Sequence, residues 1–127
     1  MSIPESMIAE CAEMQRFLEQ EAPDDANMLF ERLSRTNVYL ARSGKLLAEA
    51  KQLHNEETAK IFEEHATYIG TLKSTIASKF IEAKLSRINY YVNWLDRLNR
   101  AFVHSGDNMR TQMSFLKEDL RMTKSGY

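Results

Sequence analysis

The apolar positions of this chain fall at helical spacings, and the interruptions between them divide it into a small number of helices. Ser2-Ile-Pro-Glu5 reads as a helix start: Ser2 can cap, Pro4 is tolerated in a first turn whose N–H groups lack partners, and Glu5 completes a capping box. The first helix then runs to about Glu19, with Ile8, Cys11, Phe17 and Leu18 among its apolar positions. Glu21-Ala-Pro-Asp-Asp25 breaks it, because the residue before Pro23 is pushed out of helical geometry and Asp24 or Asp25 can cap the next helix. That second helix carries a stripe at Leu29, Leu33, Leu40 and Leu47, with Ala26, Asn37 and Gly44 at intervening positions. The seven-residue interval of Leu33, Leu40 and Leu47 is a short heptad signal, and the small Ser43-Gly44 pair would let another helix approach closely. The pattern weakens at Leu53-His54-Asn55, where a kink or short turn is expected.

A third apolar stretch is expected from near Glu56 to about His104. Its main seam is Ile81, Ile88, Leu95 and Phe102, with Ala77, Tyr91 and Leu98 beside it and a second flank of Leu72, Ile76, Ala83, Tyr90, Trp94 and Ala101. A helix apolar over so wide an arc belongs at the centre of a bundle or an oligomer. Ser105-Gly-Asp107 is expected to end it and cap a short last helix carrying Met109, Met113, Leu116 and Leu120, with residues 122–127 as a frayed tail. The fold expected is all-α: one domain over residues 1–127, an elongated, coiled-coil-like bundle with two long antiparallel helices and short N- and C-terminal ones. Two wide apolar faces are hard to cover within 127 residues, so a homo-oligomer is expected.

Composition narrows the classes. Four Gly and two Pro leave little material for the turns of a β-sandwich or barrel. No uncharged apolar run approaches the roughly 18 residues of a membrane span, and the start lacks the basic and apolar regions of a secretory signal. The single Cys11 forbids an internal disulfide or a cysteine-cluster zinc site and suits a reducing cytoplasm. Its acidic helix would raise rather than lower its pKa, so it reads as a packing residue and not a nucleophile. Residues Lys51, Phe62 and Ala101 stand three before His54, His65 and His104, so the Glu-x-x-His pattern of helical di-iron sites is missing. There is also no glycine-rich phosphate loop. An enzyme is not expected, nor any metal or cofactor.

Charge is uneven. Residues 1–31 carry eight acids against Arg16, whereas residues 32–127 carry a net charge of +6 within an overall −1. Such separation marks either nucleic-acid contact or pairing of the acidic first helix with the basic body. In the third stretch Lys73, Phe80, Lys84, Arg87 and Tyr91 share one face at the centre of the apolar arc. Desolvating unpaired cations costs several kcal/mol, so they must meet acids, stay wet, or meet a polyanion. Cations interleaved with aromatics are how sequence-tolerant single-strand binders combine phosphate neutralisation with base stacking. Pairing with the first helix, with snorkelling of the long stems, is the alternative.

Val38-Tyr-Leu-Ala-Arg-Ser-Gly-Lys45, Asn89-Tyr-Tyr-Val-Asn-Trp-Leu-Asp-Arg-Leu98 and Met109-Arg-Thr-Gln-Met-Ser-Phe-Leu-Lys117 resemble stretches of the UvsY-type phage recombination mediators, over roughly residues 35–120. The resemblance implies a small cytoplasmic oligomer, typically a ring, that binds single-stranded DNA and helps a recombinase displace single-strand-binding protein, without catalysis. One departure matters. The family's DNA contacts come from a cation-dense helical stretch, whereas Asn55-Glu-Glu-Thr-Ala-Lys-Ile-Phe-Glu-Glu64 is acidic. A DNA path would then use Lys45 and Lys51 before it, or Lys73, Lys84 and Arg87 after it, with Phe80 and Tyr91. The rival is a helical assembly or adaptor protein whose only ligands are other proteins or itself.

Overall fold

The computed structural model describes residues 3–124, and all of their regular structure is helical. Helix α1 spans Glu5–Glu19, α2 Ala26–Gly70, α3 Ser74–Lys84 and α4 Ser86–Lys124. The two long helices α2 and α4 pack antiparallel: Asn99 meets Leu40 and Ser43, and further along α4 Arg110 meets Asn37. They form a hairpin, and α1 lies against its middle.

The α2 face that meets α4 is small at its middle, at Thr36, Ser43 and Ala50, with Leu29, Leu46 and Ile61 as its larger buried side chains. Leu29, Thr36, Ser43 and Ala50, seven apart, are buried, while Leu33, Leu40 and Leu47 are only half-buried on its flank. The leucine stripe is therefore displaced from the expected centre. Short side chains in the seam allow close backbone approach, and their hydroxyls bond locally: Thr36 Oγ1 donates to the Arg32 carbonyl (2.9 Å) and Ser43 Oγ to that of Leu40 (3.0 Å). Asn99 then donates from α4 to the Leu40 carbonyl (3.2 Å) and to Ser43 Oγ (3.1 Å). A Cβ added at Gly44 would lie 3.6 Å from the Asn99 amide, an ordinary contact, so Gly44 lies beside α4 without being required there.

Three expected boundaries are corrected. Helix α2 runs unbroken through Leu53-His54-Asn55; its irregular residue is His65 (φ −122°, ψ 18°), and it ends at Gly70. The stretch from Glu56 to His104 is thus not one helix. It turns at Thr71–Lys73, where Thr71 Oγ1 donates to the Tyr68 carbonyl (2.6 Å), and it bends again at Leu85 (φ −96°, ψ 1°). The bend is shallow, since Leu85 N–H still reaches the Ile81 carbonyl and the Leu85 carbonyl still accepts from Asn89. Third, Ser105-Gly-Asp107 does not end a helix. Ile88, Leu95, Phe102 and Met109 are all buried at unbroken seven-residue intervals. Packing on that seam outweighs the roughly 1 kcal/mol that Gly106 costs a helix, so the expected short C-terminal helix is the last part of α4. The expected fraying from Met122 is not seen as far as Lys124, and residues 125–127 lie outside the described part.

The core sits where three helices meet. Met7, Cys11, Met14 and Phe17 of α1 pack with Leu46 and Ala50 of α2 and with Ile88, Tyr91, Leu95, Leu98 and Phe102 of α4. Tyr39 stacks on Phe102 with centroids 5.5 Å apart, and Phe17 closes the group. Beyond α1 the hairpin has only two helices, and Phe30, Phe115 and Leu120 at one end and Phe62, Tyr68 and Ile76 at the other stay exposed. The second apolar flank is accordingly open at Ile76 and Tyr90, because α1 covers only part of α4.

Helix α1 begins with Pro4 at the position preceding its first turn, where the Pro4 carbonyl accepts from Met7 and Ile8. The expected cap from Ser2 lies outside the described residues. The far end of α1 is closed by Arg32, which donates to the Phe17 (2.8 Å) and Gln20 (3.1 Å) carbonyls and stands 4.3 Å over the Phe17 ring. Asp25 caps α2 as expected, accepting from Met28 N–H at 3.0 Å. Burial, with Glu10 adding to it, pushes the Cys11 thiol up to about 11, as befits a packing residue.

The acidic helix does pair with the basic body. Glu10 takes a two-pronged contact from Arg42 (2.6 and 2.8 Å), and Glu13 accepts from the Tyr39 hydroxyl at 2.9 Å. The Arg42 hydrogen bond holds the Glu10 carboxyl below the usual range, against partial burial that works the other way. A lowered native pKa means that this contact stabilises the fold above the unfolded pKa of about 4 and that its contribution disappears as pH falls through the lower native value. Glu10→Gln should therefore lower the urea midpoint modestly at pH 7, the pair being partly exposed, and the difference from the parent should vanish in acid. A difference that persists at low pH would mean that the carboxylate charge is not what holds the two helices here.

Candidate nucleic-acid interface

The expected face is present, but it is wet rather than apolar. Lys73, Lys84 and Arg87 are all exposed. The expectation that they sit at the centre of a buried arc fails because the rings of that face, Phe80 and Tyr91, turn inward while the cationic side chains beside them reach solvent. Lys73 precedes α3, where its carbonyl accepts from Ala77, and its side chain projects into solvent. Lys84 Nζ lies 5.6 Å from the Phe80 ring centre, and the Arg87 guanidinium 5.8 Å from that of Tyr91. Each cation thus stands beside a ring, within cation–π reach.

The two rings have structural duties. Phe80 is half-buried and held edge-on by His65 (5.4 Å) and Tyr68 (5.2 Å), which ties α3 back to α2. Tyr91 is 7% exposed and belongs to the core. The open ring is its neighbour Tyr90, 59% exposed, with Trp94 half-buried 5.9 Å away. Tyr90, Asn93, Trp94 and Arg97 line a shallow cleft of about 320 Å³. The signal for it was available in the chain: Tyr90, Asn93 and Arg97 recur at three and four on the side of α4 opposite the Ile88–Leu95 seam. Assigning Tyr90 and Trp94 to an apolar flank concealed it.

From Ala83 to Gly106 the chain carries Lys84, Arg87, Arg97 and Arg100 against Asp96, a net charge of +3, and Asp96 is engaged by Arg100 at 3.1 Å. A partly exposed pair of this kind is weak, and the acids Glu82 and Asp107 bound the segment on either side. Lys45 and Lys51 lie on α2, both exposed, with Lys45 3.9 Å from Glu49. The structure gathers Phe80, Lys84, Arg87 and Tyr91 across the α3–α4 bend, and joins Lys45 and Lys51 to them by no hydrogen bond or ion pair among the described residues. Groups of three or more metal-ligating side chains are absent among the described residues, and no described helix is long and apolar enough to cross a membrane.

No family model matches this chain, and no curated protein or solved structure does either.

Proposed function

We propose that this chain is a non-enzymatic, self-associating helical protein that binds single-stranded DNA and assists the loading of a recombinase. The observation that carries the reading is the exposed edge of α4 after the α3–α4 bend, where the open ring of Tyr90, with Trp94 beside it, stands with Arg97, and where Lys84 and Arg87 reach solvent beside the more enclosed rings of Phe80 and Tyr91. Exposed cations neutralise phosphates, and ring faces accept any base. The recombination role rests on the resemblance to the UvsY-type mediators. The acidic N-terminal helix, expected over residues 1–22, supplies Met7, Cys11, Met14 and Phe17 to the core, so the binding test uses the full chain.

A labelled single-stranded oligonucleotide titrated with protein at several salt concentrations decides the matter. The expected result is binding whose log affinity falls with log salt by about 0.7 for each phosphate neutralised. No binding at low salt would remove the proposal. It would leave the second reading, a helical assembly or adaptor protein, which is favoured by the exposed Phe30, Phe115 and Leu120 at the two-helix end of the hairpin.

A further inference from the structure

We propose, building on the single-strand reading above, that the cleft lined by Tyr90 and Trp94 is a base-stacking subsite that seats an unstacked nucleobase without reading its identity. Trp94 is fixed from behind: its Nε1–H donates to Gln15 Oε1 on α1 at 3.0 Å, and the Gln15 amide in turn donates to Glu19 at 3.0 Å. The indole therefore presents a ring to the cleft with its one donor already used. Tyr90 stands at 60° to it, braced edge-on against Tyr91 with centroids 5.2 Å apart. The two rings touch, with centroids 5.9 Å apart, so a flat base lies beside the pair rather than between its rings, stacked on the open face of one with the other near its edge, the two arrangements that aromatic pairs prefer.

The remaining lining fits the same ligand. Asn93 offers one donor and one acceptor group, so it can meet either kind of base edge. Arg97 supplies positive charge in the cleft itself, and Arg87, three residues before Tyr90 on α4 and beside Tyr91, is the next cation along the helix for a strand's phosphates. An exposed tyrosine alone needs no explanation. Two rings and an arginine lining a cleft of about 320 Å³, with Arg87 and Arg100 on the same helix, is the arrangement found where single strands are bound by stacking and charge together.

Trp94 is the only tryptophan, so its emission reports on this cleft alone. The full chain is titrated at low salt with oligothymidylate, with an abasic strand of the same number of phosphates, and with polyglutamate, following both anisotropy of the labelled ligand and Trp94 fluorescence. Oligothymidylate is expected to bind and to quench Trp94, and the abasic strand to bind more weakly without quenching. Tyr90→Ala, at an exposed position, should lower oligothymidylate affinity by roughly 5- to 100-fold and leave abasic-strand affinity unchanged. Equal affinity for both strands with no quenching, or an equal effect of Tyr90→Ala on both, would overturn the subsite while leaving phosphate binding intact. Quenching by polyglutamate but not by oligothymidylate would assign the cleft to an acidic polypeptide instead. Failure of both strands to bind would remove the single-strand reading, and the subsite with it.

Discussion

The double variant Lys84→Glu/Arg87→Glu is expected to bind single-stranded DNA on the order of 10- to 100-fold more weakly, about 0.7 to 1.4 kcal/mol for each phosphate left without its cation. Both side chains are exposed, and the contacts they make are to the rings of Phe80 and Tyr91 on their own stretch of chain. The helical circular dichroism should therefore be unaltered. The salt dependence is the sharper readout. If both cations neutralise phosphates, the slope of log affinity against log salt should shrink by about 1.4, twice the single-strand increment. Lys60→Glu is a control that makes one such charge reversal on the acidic stretch of α2, and its affinity should stay within about twofold, a difference of some 0.4 kcal/mol. An unchanged slope in the double variant would move the strand off the α3–α4 edge, to Lys45 and Lys51 or away from the protein altogether.

The largest effect on stability is expected at Phe102. It is fully buried at the junction of the three helices, with Tyr39 stacked on it at 5.5 Å and Phe17 at 6.3 Å. Phe102→Ala removes a ring from between α1, α2 and α4 and leaves a cavity that long, continuous helices cannot easily collapse around. The cost should be about 3–5 kcal/mol, a large part of the roughly 5–15 kcal/mol by which a domain is stable. Urea unfolding should show it as a midpoint lowered by roughly 2 M. Phe115→Ala on the same helix, at a ring 69% exposed, should change stability by no more than about 0.5 kcal/mol in the monomer. A small effect at Phe102 would mean that α1 does not close the core as described. A large effect at Phe115 would show that ring buried by a second copy, and it would vary with protein concentration.

Much of this architecture is legible in the chain. The all-helical class, the break at Pro23, the cap at Asp25 and the seam through Ile88, Leu95 and Phe102 come from periodicity and turn chemistry. Boundaries are less so. Ser105-Gly-Asp107 looks like a helix end because its residues favour turns and caps, yet the seven-residue phase from Phe102 to Met109 carries straight through it. His54 looks like a kink because the apolar pattern thins there; α2 thins simply because it leaves the three-helix section. Within the interface, the exposed cations and their ring partners are legible. The solvent-facing Tyr90–Trp94 cleft is legible only in part: Tyr90, Asn93 and Arg97 recur opposite the seam, but an aromatic residue on a helix reads as core until its neighbours are placed.

The sequence by itself determined that two long amphipathic helices would form and placed the Ile88–Leu95–Phe102 seam of α4, because seven-residue spacing of apolar side chains is a property of one helix that needs no partner to be seen. It also determined the charge imbalance between the leader and the body. Only the tertiary structure decided which face of α2 meets α4. Leu33, Leu40 and Leu47 are the more hydrophobic set, but Thr36, Ser43 and Ala50 are the smaller one, and close helix approach with every hydroxyl bonded favours small residues in the seam. It likewise decided that Lys84 and Arg87 stay in water and that Tyr91 is enclosed while Tyr90 is open. Which side of a helix is covered depends on how many neighbours reach it, and α1, only fifteen residues long, reaches just the middle of the hairpin.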